Sequence, residues 1–479
     1  MSHNVSVRIV VTSGSGLTIH LPQPSDGAAR AFQILVHADA PRAISPTARS
    51  AIGFGTDRAA GREGMNSDRS RTVIAWAILG WTLAATAARA IREPNAFAQA
   101  HWLLDYRFGV MKRGLIGSLG AVLTGVFGRQ MTPRLILACS AVALFGMFAG
   151  MLVLLYRSAG RHAPKDDALA AGVVFVSSSF VVMNAHLLGY LDAFLYLFAI
   201  ASVALTLNHR PFLGAFVSSV AMLAHESYIL IGFPLVCLAS WAALGTRRTG
   251  TGWRSRVVAL SVPVLVFAAI PSIQALTTDP LTLRQHLTHH LDSFGFVADR
   301  SEWVALWQTT TFLEFFREES GDFSERLLSP DAWTSLGPSL LTLLLFMYAS
   351  FRIRVFSTLS IMLLGVVAAP LAMHAVAWDY GRISTYTIGS AFIALWILAE
   401  TQRAWKAPRV FFALAILVSG LNALTRMPLM DDEVERFSDV TRLLIYLPSL
   451  GLLVFLAARD HSPPRMAEFT SQETLPERP

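Results

Sequence analysis

Asp105 is followed closely by Arg107, Lys112 and Arg113, and the apolar stretch Gly114 to Gly128 comes next. A carboxylate beside three cations is the set of groups that a phosphate-releasing transfer requires. The carboxylate takes the proton of an acceptor hydroxyl, and the cations meet the charge that develops on a leaving phosphate. Neighbouring cations also keep such a carboxyl ionised. Three further groups have related chemistry: His186 and Asp192 with Asn184 and Tyr190, then His225 and Glu226, then His374, Trp378, Asp379 and Arg382. Each interrupts or borders an apolar run. Ionisable groups at membrane depth are costly and are tolerated mainly around a cavity or reaction site.

The elements that must position these residues are membrane helices. Hydrophobic residues make up 53% of the 479 and charged ones 15%, with a mean hydropathy of +0.49. Twelve apolar runs predict an all-α, polytopic bundle of about 12 transmembrane helices. They cover roughly 72–91, 135–156, 168–185, 188–207, 211–224, 228–245, 257–276, 337–351, 355–373, 386–400, 409–425 and 441–458. Arginines before the first run and in alternate connections (Arg157, Arg210, Arg247, Arg352, Arg403) predict a cytoplasmic position for those connections and for both termini, hence a cytoplasmic-membrane protein. The opposite connections include residues 277–336, where ten acids outnumber four arginines, and the acidic stretch 426–442. All the groups named above then fall on the outward side. The basic loop 92–134 breaks the charge rule, and its short run Gly114 to Gly128 reads as an interfacial helix whose cations suit an anionic head group or a phosphate.

Three segments follow from this reading. Residues 1–71 form a cytoplasmic N-terminal segment, either a disordered tail or translated sequence upstream of a start at Met65, although Val5 to Val11 alternates as a strand does. Residues 72–458 form the membrane domain, with the outer loop 277–336 as an amphipathic cover, and 459–479 form a tail. Cys139 and Cys237 lie in separate runs and predict apolar packing with no disulfide framework. With 36 arginines and three lysines, the positive charge is a topology signal and gives no reason to expect nucleic acid. No cofactor is specified. A divalent cation at the histidine and acid pairs has no diagnostic ligand spacing.

Taken singly, each cluster also fits a helix-end ion pair, Asp105 with Arg107 or Asp379 with Arg382. Their common depth favours one shared outward cavity. The arrangement resembles the GT-C class of integral membrane glycosyltransferases, which use polyprenyl-phosphate sugars. The resemblance rests on an acid in the first outer loop (Asp105), an interfacial helix after it (Gly114 to Gly128) and a long outer loop after the seventh run (Thr277 to Leu336). It departs from many members in having one acid in that loop, with Glu93 well before it, and no large soluble domain after the last run. The resemblance implies Asp105 as catalytic base and phosphate binding by Arg107, Lys112, Arg113 and Arg382. His186, Asp192, His225, Glu226 and Asp379 then position the sugar and a glycan, lipid or protein acceptor. A lipid-linked glycan flippase and an envelope polysaccharide polymerase or ligase are the competing classes. The near absence of ionisable residues in the inner halves of the runs disfavours a proton-coupled transporter.

Overall fold

The computed structural model describes residues 8–12, 16–20 and 57–460, except 129, 159–163, 245–251, 323–324, 326–329, 353–356, 376, 378, 403–405 and 431–432. The chain divides into two compact units, Met1–Ser67 and Asp68–Pro479. In the first, β1 (Arg8–Thr12) and β2 (Gly16–His20) pair antiparallel, with Arg8 opposite His20 and Thr12 opposite Gly16. Ile9 and Val11 of the alternating stretch thus lie in a hairpin, while Val5 and Val7 lie outside the described residues.

Among the described residues the second unit is built of helices. They run in order as α1 (Asp57–Ala88, entering from the first unit), α2 (Ala96–Ala100), α3 (Gly114–Val126), α4 (Pro133–Ser158), α5 (Lys165–Val176), α6 (Ser179–His186), α7 (Asp192–Leu207), α8 (Pro211–Ala224), α9 (Tyr228–Ile231) and α10 (Phe233–Leu244). Then follow α11 (Trp253–Thr277), α12 (Pro280–Asp292), α13 (Ser301–Thr309), α14 (Phe312–Glu319), α15 (Pro330–Arg352), α16 (Ser357–Ala368), α17 (Tyr380–Gln402), α18 (Arg409–Leu424) and α19 (Asp439–Asp460). Among the described residues six helical segments are long and apolar enough to cross a membrane: Ser70–Ala88, Pro133–Ser158, Trp253–Thr277, Thr358–Ala375, Tyr380–Thr401 and Asp439–Arg459. The pair α5 and α6 makes a seventh if its 45° bend lies within one span. The other five runs expected to span form apolar helices of 10–17 residues: Asp192–Leu207, Pro211–Ala224, Tyr228–Leu244, Ser339–Arg352 and Arg409–Leu424. Polar residues at their ends, such as Asp192 and His225, shorten the apolar stretch.

The core gathers around α17, whose apolar window is 94% buried, against 17% for α11. Phe175 of α5 stacks on Phe392 of α17 with centroids 4.1 Å apart. Gly389 lets α17 approach closely, because a Cβ there would lie 2.5 Å from the Phe180 ring and 2.8 Å from that of Tyr196. Peripheral helices expose Val142, Phe145, Leu265 and Leu276. Apolar surface of this kind faces a solvent that is itself apolar.

Alternate helix ends meet at one pole. Arg89, just past α1, donates to both carboxylate oxygens of Glu435 at 2.9 Å and to the Asn422 carbonyl of α18 at 2.9 Å, while Arg442 of α19 reaches the same Glu435 at 3.3 Å. Here too Arg92 donates to the carbonyl of His186 at 3.1 Å and pairs with Glu433. Helix α3 is tied to this pole by its small-residue face. A Cβ on Gly117 would sit 1.9 Å from the Leu104 carbonyl oxygen, and one on Gly114 2.5 Å from the Tyr106 ring. The other face exposes Leu119, Val122, Leu123 and Val126. Gly117→Ala is therefore expected to cost roughly 3 kcal/mol through backbone displacement. Gly125→Ala in the same helix, where a Cβ meets nothing within 4 Å, should be neutral or mildly stabilising. Denaturant unfolding of the two variants side by side checks the difference.

Candidate functional site

The first half of the site is built on Arg113. Its φ of 61° places it in the left-handed region just before α3, a conformation that costs a non-glycine residue energy and must be held by its surroundings. What holds it is Glu226, between α8 and α9, which accepts from Arg113 Nε at 3.0 Å on each oxygen and from Nη2 as well. Arg113 Nη1 lies 3.0 Å from His101 Nε2. His101 Nδ1 is 2.8 Å from the carbonyl of Phe97, so the proton belongs on Nδ1 and Nε2 accepts from the guanidinium. His225 Nδ1 accepts from the backbone N–H of Ser227 at 3.1 Å, and the Glu226 carboxylate is 3.5 Å away. Burial and the Arg113 charge push His101 down to about 3, and the same causes hold His225 well below the usual histidine range. Burial alone would raise the Glu226 carboxyl. Arg113, by its charge and its hydrogen bonds, and Lys112 outweigh it and keep the group well below the ordinary glutamate value.

The second half is built on Arg382, in the first turn of α17. Its Nη2 donates to both oxygens of Asp192 at 2.9 Å, its Nη1 is 3.6 Å from Asp379 Oδ2, and its guanidinium carbon lies 4.9 Å from the centre of the Tyr190 ring. The Tyr386 hydroxyl, one turn further along, donates to Asp192 and accepts from Arg382 Nε. Asp379 caps α17 by accepting from the backbone N–H of Arg382 at 3.2 Å. The two halves adjoin through aromatic rings, since Phe97 packs edge-on against His101 with centroids 4.8 Å apart and lies 6.2 Å from the Tyr190 ring that Arg382 covers.

Asp379 is the poised member. Burial lifts its carboxyl to about 6 despite Arg382, with Asp192 adding to the rise. The folded protein keeps this proton up to about pH 6, whereas an unfolded aspartate loses it near 3.8. Between those values the folded state binds more protons, so stability falls as pH rises through the window, by up to roughly 3 kcal/mol. Asp379→Asn should flatten the slope of unfolding free energy between about pH 4 and 6, as measured by denaturant titration at each pH. An unchanged slope would contradict the burial argument. Glu226 acts in the opposite sense, stabilising above the ordinary glutamate value and losing that effect on acidification.

A groove of about 180 Å³ ends at the first half. Its walls are Met222 of α8, Phe267, Ile270 and Pro271 of α11 and Leu283 of α12, and its polar end carries Lys112 and Glu226 with Thr309, Thr310 and Thr311. Lys112 is clamped there. It donates to the carbonyls of Trp307, at 3.3 Å, and Thr310, and lies 5.5 Å from the centre of the Phe315 ring, so the segment α13–α14 is fastened over the first loop. Burial lowers the Lys112 pKa, with Glu226 opposing.

Asp105 lies elsewhere. Its carboxylate accepts from the backbone N–H of Arg107 at 2.9 Å and from the Arg107 guanidinium, and it lines a separate cleft of about 290 Å³ with Gln130 and His290. Burial would raise this carboxyl, but Arg107 outweighs it and lowers the pKa. The expectation of a single pocket shared by Asp105, Glu226 and Asp379 is thus corrected. The geometry provides two charged groups, Arg113 with Glu226 and Arg382 with Asp192 and Asp379, while Asp105 pairs with Arg107 two residues away and lines its own cleft. His186 also stands apart from both groups, with Nε2 3.2 Å from the Met430 carbonyl, and His374 stacks on Tyr380 at 5.3 Å. Trp378 lies outside the described residues. All four cations expected to be free for phosphate have partners: Arg107 with Asp105, Arg113 with Glu226, Arg382 with Asp192, and Lys112 with two carbonyls.

Sequence reasoning missed His101, Tyr386 and the hydrogen-bonding of Arg92. His101 had a signal, a histidine in the loop 92–134 with its excess of cations, whereas Tyr386 reads as an ordinary core aromatic. Among the described residues no three His, Cys, Asp or Glu side chains converge as a metal site. No family model, curated protein or solved structure matches this chain.

Proposed function

We propose that this chain is a twelve-span glycosyltransferase of the cytoplasmic membrane, both termini inside. It moves a sugar from a polyprenyl-phosphate-linked donor to a glycan, lipid or protein acceptor on the outer side. The observation that carries the reading is the groove along α11, apolar over its length and closed at one end by Lys112 and by Glu226, the partner of Arg113. The first isoprene units of such a lipid suit these walls, and Lys112 offers its charge to a phosphate at the polar end. Two donors of Lys112 are occupied by carbonyls, which leaves a third N–H for phosphate.

In the proposed reaction an acceptor hydroxyl oxygen attacks the anomeric carbon as the bond from that carbon to the phosphate oxygen breaks. The hydroxyl proton passes to Asp379, whose carboxyl is pushed to about 6 and therefore ionised yet basic at neutral pH. The phosphate departs with its charge against Lys112 and Arg113, and direct displacement inverts the anomeric centre. Asp192 and Tyr386 hold Arg382, and through it Asp379, in place. Asp105 and Arg107 brace the turn that leads to Lys112. The exposed face of α3 rests in the interface of the outer leaflet.

A flippase for a lipid-linked glycan is the second reading, favoured by the 45° break between α5 and α6 in the buried centre of the bundle. One experiment separates the two. Purified protein in detergent, given a panel of polyprenyl-phosphate sugars and candidate acceptors, is expected to release free polyprenyl phosphate from at least one donor. Movement of intact donor across a reconstituted vesicle, with no release from any, would replace the transferase by the flippase.

A further inference from the structure

The opposite pole holds a second cleft, of about 860 Å³, between α1, α4, α5 and α19. Four cations line it: Arg71 where the apolar part of α1 begins, Arg157 where α4 ends, Lys165 where α5 begins and Arg459 near the end of α19. One carboxylate, Asp166, also lines it, 3.6 Å from Arg459. Among the described residues no carboxylate pairs with Arg71, Arg157 or Lys165, and all three side chains are exposed. Below this rim the walls turn apolar, with Ile78, Leu452 and Phe455, and Trp76 and Tyr156 meet edge to face at 5.5 Å beside it.

We infer that this cleft is a binding site for one anionic phospholipid of the leaflet at that pole, its phosphate held by Arg157 and Lys165 and its acyl chains lying along Ile78 and Phe455. The cations leave a strong positive excess over Asp166, which a zwitterionic or neutral lipid would not satisfy. The apolar walls belong to membrane-spanning helices, which a free soluble anion would not use. An aromatic pair at head-group depth is the usual interfacial anchor. Gly451 keeps the α19 face of the cleft open, for a Cβ there would meet nothing within 4 Å. The site does not depend on the transferase reading, because its residues share none of that chemistry.

Native mass spectrometry of the full chain, delipidated and then titrated with phosphatidylglycerol, phosphatidylcholine or inorganic phosphate, tests the inference. One phosphatidylglycerol should be retained, with phosphatidylcholine retained at least tenfold less and phosphate giving no protection against phosphatidylglycerol loss. The double variant Arg157→Gln with Lys165→Gln should weaken retention by about fivefold per cation. Gly451→Leu, which narrows the cleft at its α19 wall and leaves every charge in place, should also weaken it. Arg210→Gln, an exposed cation on another connection, should change nothing. Equal retention of phosphatidylcholine, competition by phosphate, or a Gly451→Leu variant that binds as well as the parent would each overturn the assignment.

Discussion

Asp379→Asn is expected to lower turnover by at least about 100-fold, the usual loss when a positioned base is removed, while leaving the Michaelis constant for the lipid donor within a few-fold. Asparagine has the shape of aspartate and still offers an oxygen to the backbone N–H of Arg382, so the cap of α17 survives. The variant should also be more stable than the parent above pH 6, because it removes a carboxylate whose burial is unfavourable to its charged form. Loss of activity joined to a gain in stability distinguishes a lost base from a damaged fold. Asp105→Asn is the paired control, since that carboxylate is engaged by Arg107 and lines a different cleft, and its turnover should stay within about threefold. Near-normal rates in Asp379→Asn, with the loss appearing in Asp105→Asn, would move the base to Asp105.

The largest expected effect on stability comes from Arg382→Met. Methionine fills much of the volume but leaves Asp192, whose side chain is 2% exposed, without the guanidinium that binds both its oxygens, and leaves Asp379 without its nearest cation. Breaking a buried pair from one side typically costs 3–5 kcal/mol, and a value of roughly 4 kcal/mol is expected here. Adding Asp192→Asn to Arg382→Met should return about half of that loss by removing the orphaned charge. A double-mutant cycle from denaturant unfolding in detergent reads both numbers. A single-variant cost below about 1 kcal/mol would mean that water reaches the pair.

Much of the fold was legible because bilayer-like solvents impose a simple pattern. The apolar runs from 72 to 458 became helices at their expected places, and only the long ones meet a spanning length by themselves. The short ones end early where a functional group begins: α8 stops at His225, and α7 starts at Asp192. What composition could not encode was partner choice. Local pairs were readable, and both Asp105 with Arg107 and Asp379 with Arg382 occur, two and three residues apart. The pairs that build the site join Arg113 to Glu226 and Asp192 to Arg382, across the bundle. Those depend on a left-handed turn at Arg113 and on the close approach that Gly389 permits, neither of which has a charge signature. Lys112 illustrates the same limit, since a cation that looked free for phosphate spends two of its donors fastening α13–α14.

The most direct measurement is an electron cryomicroscopy structure of the protein with a non-transferable polyprenyl phosphonate sugar. The isoprenoid should lie along Phe267, Ile270 and Pro271, with the phosphonate within hydrogen-bond reach of Lys112 and Arg113 and the anomeric carbon directed toward Asp379. A sugar lodged beside Asp105 and His290, or a lipid bound away from α11 altogether, would contradict the account.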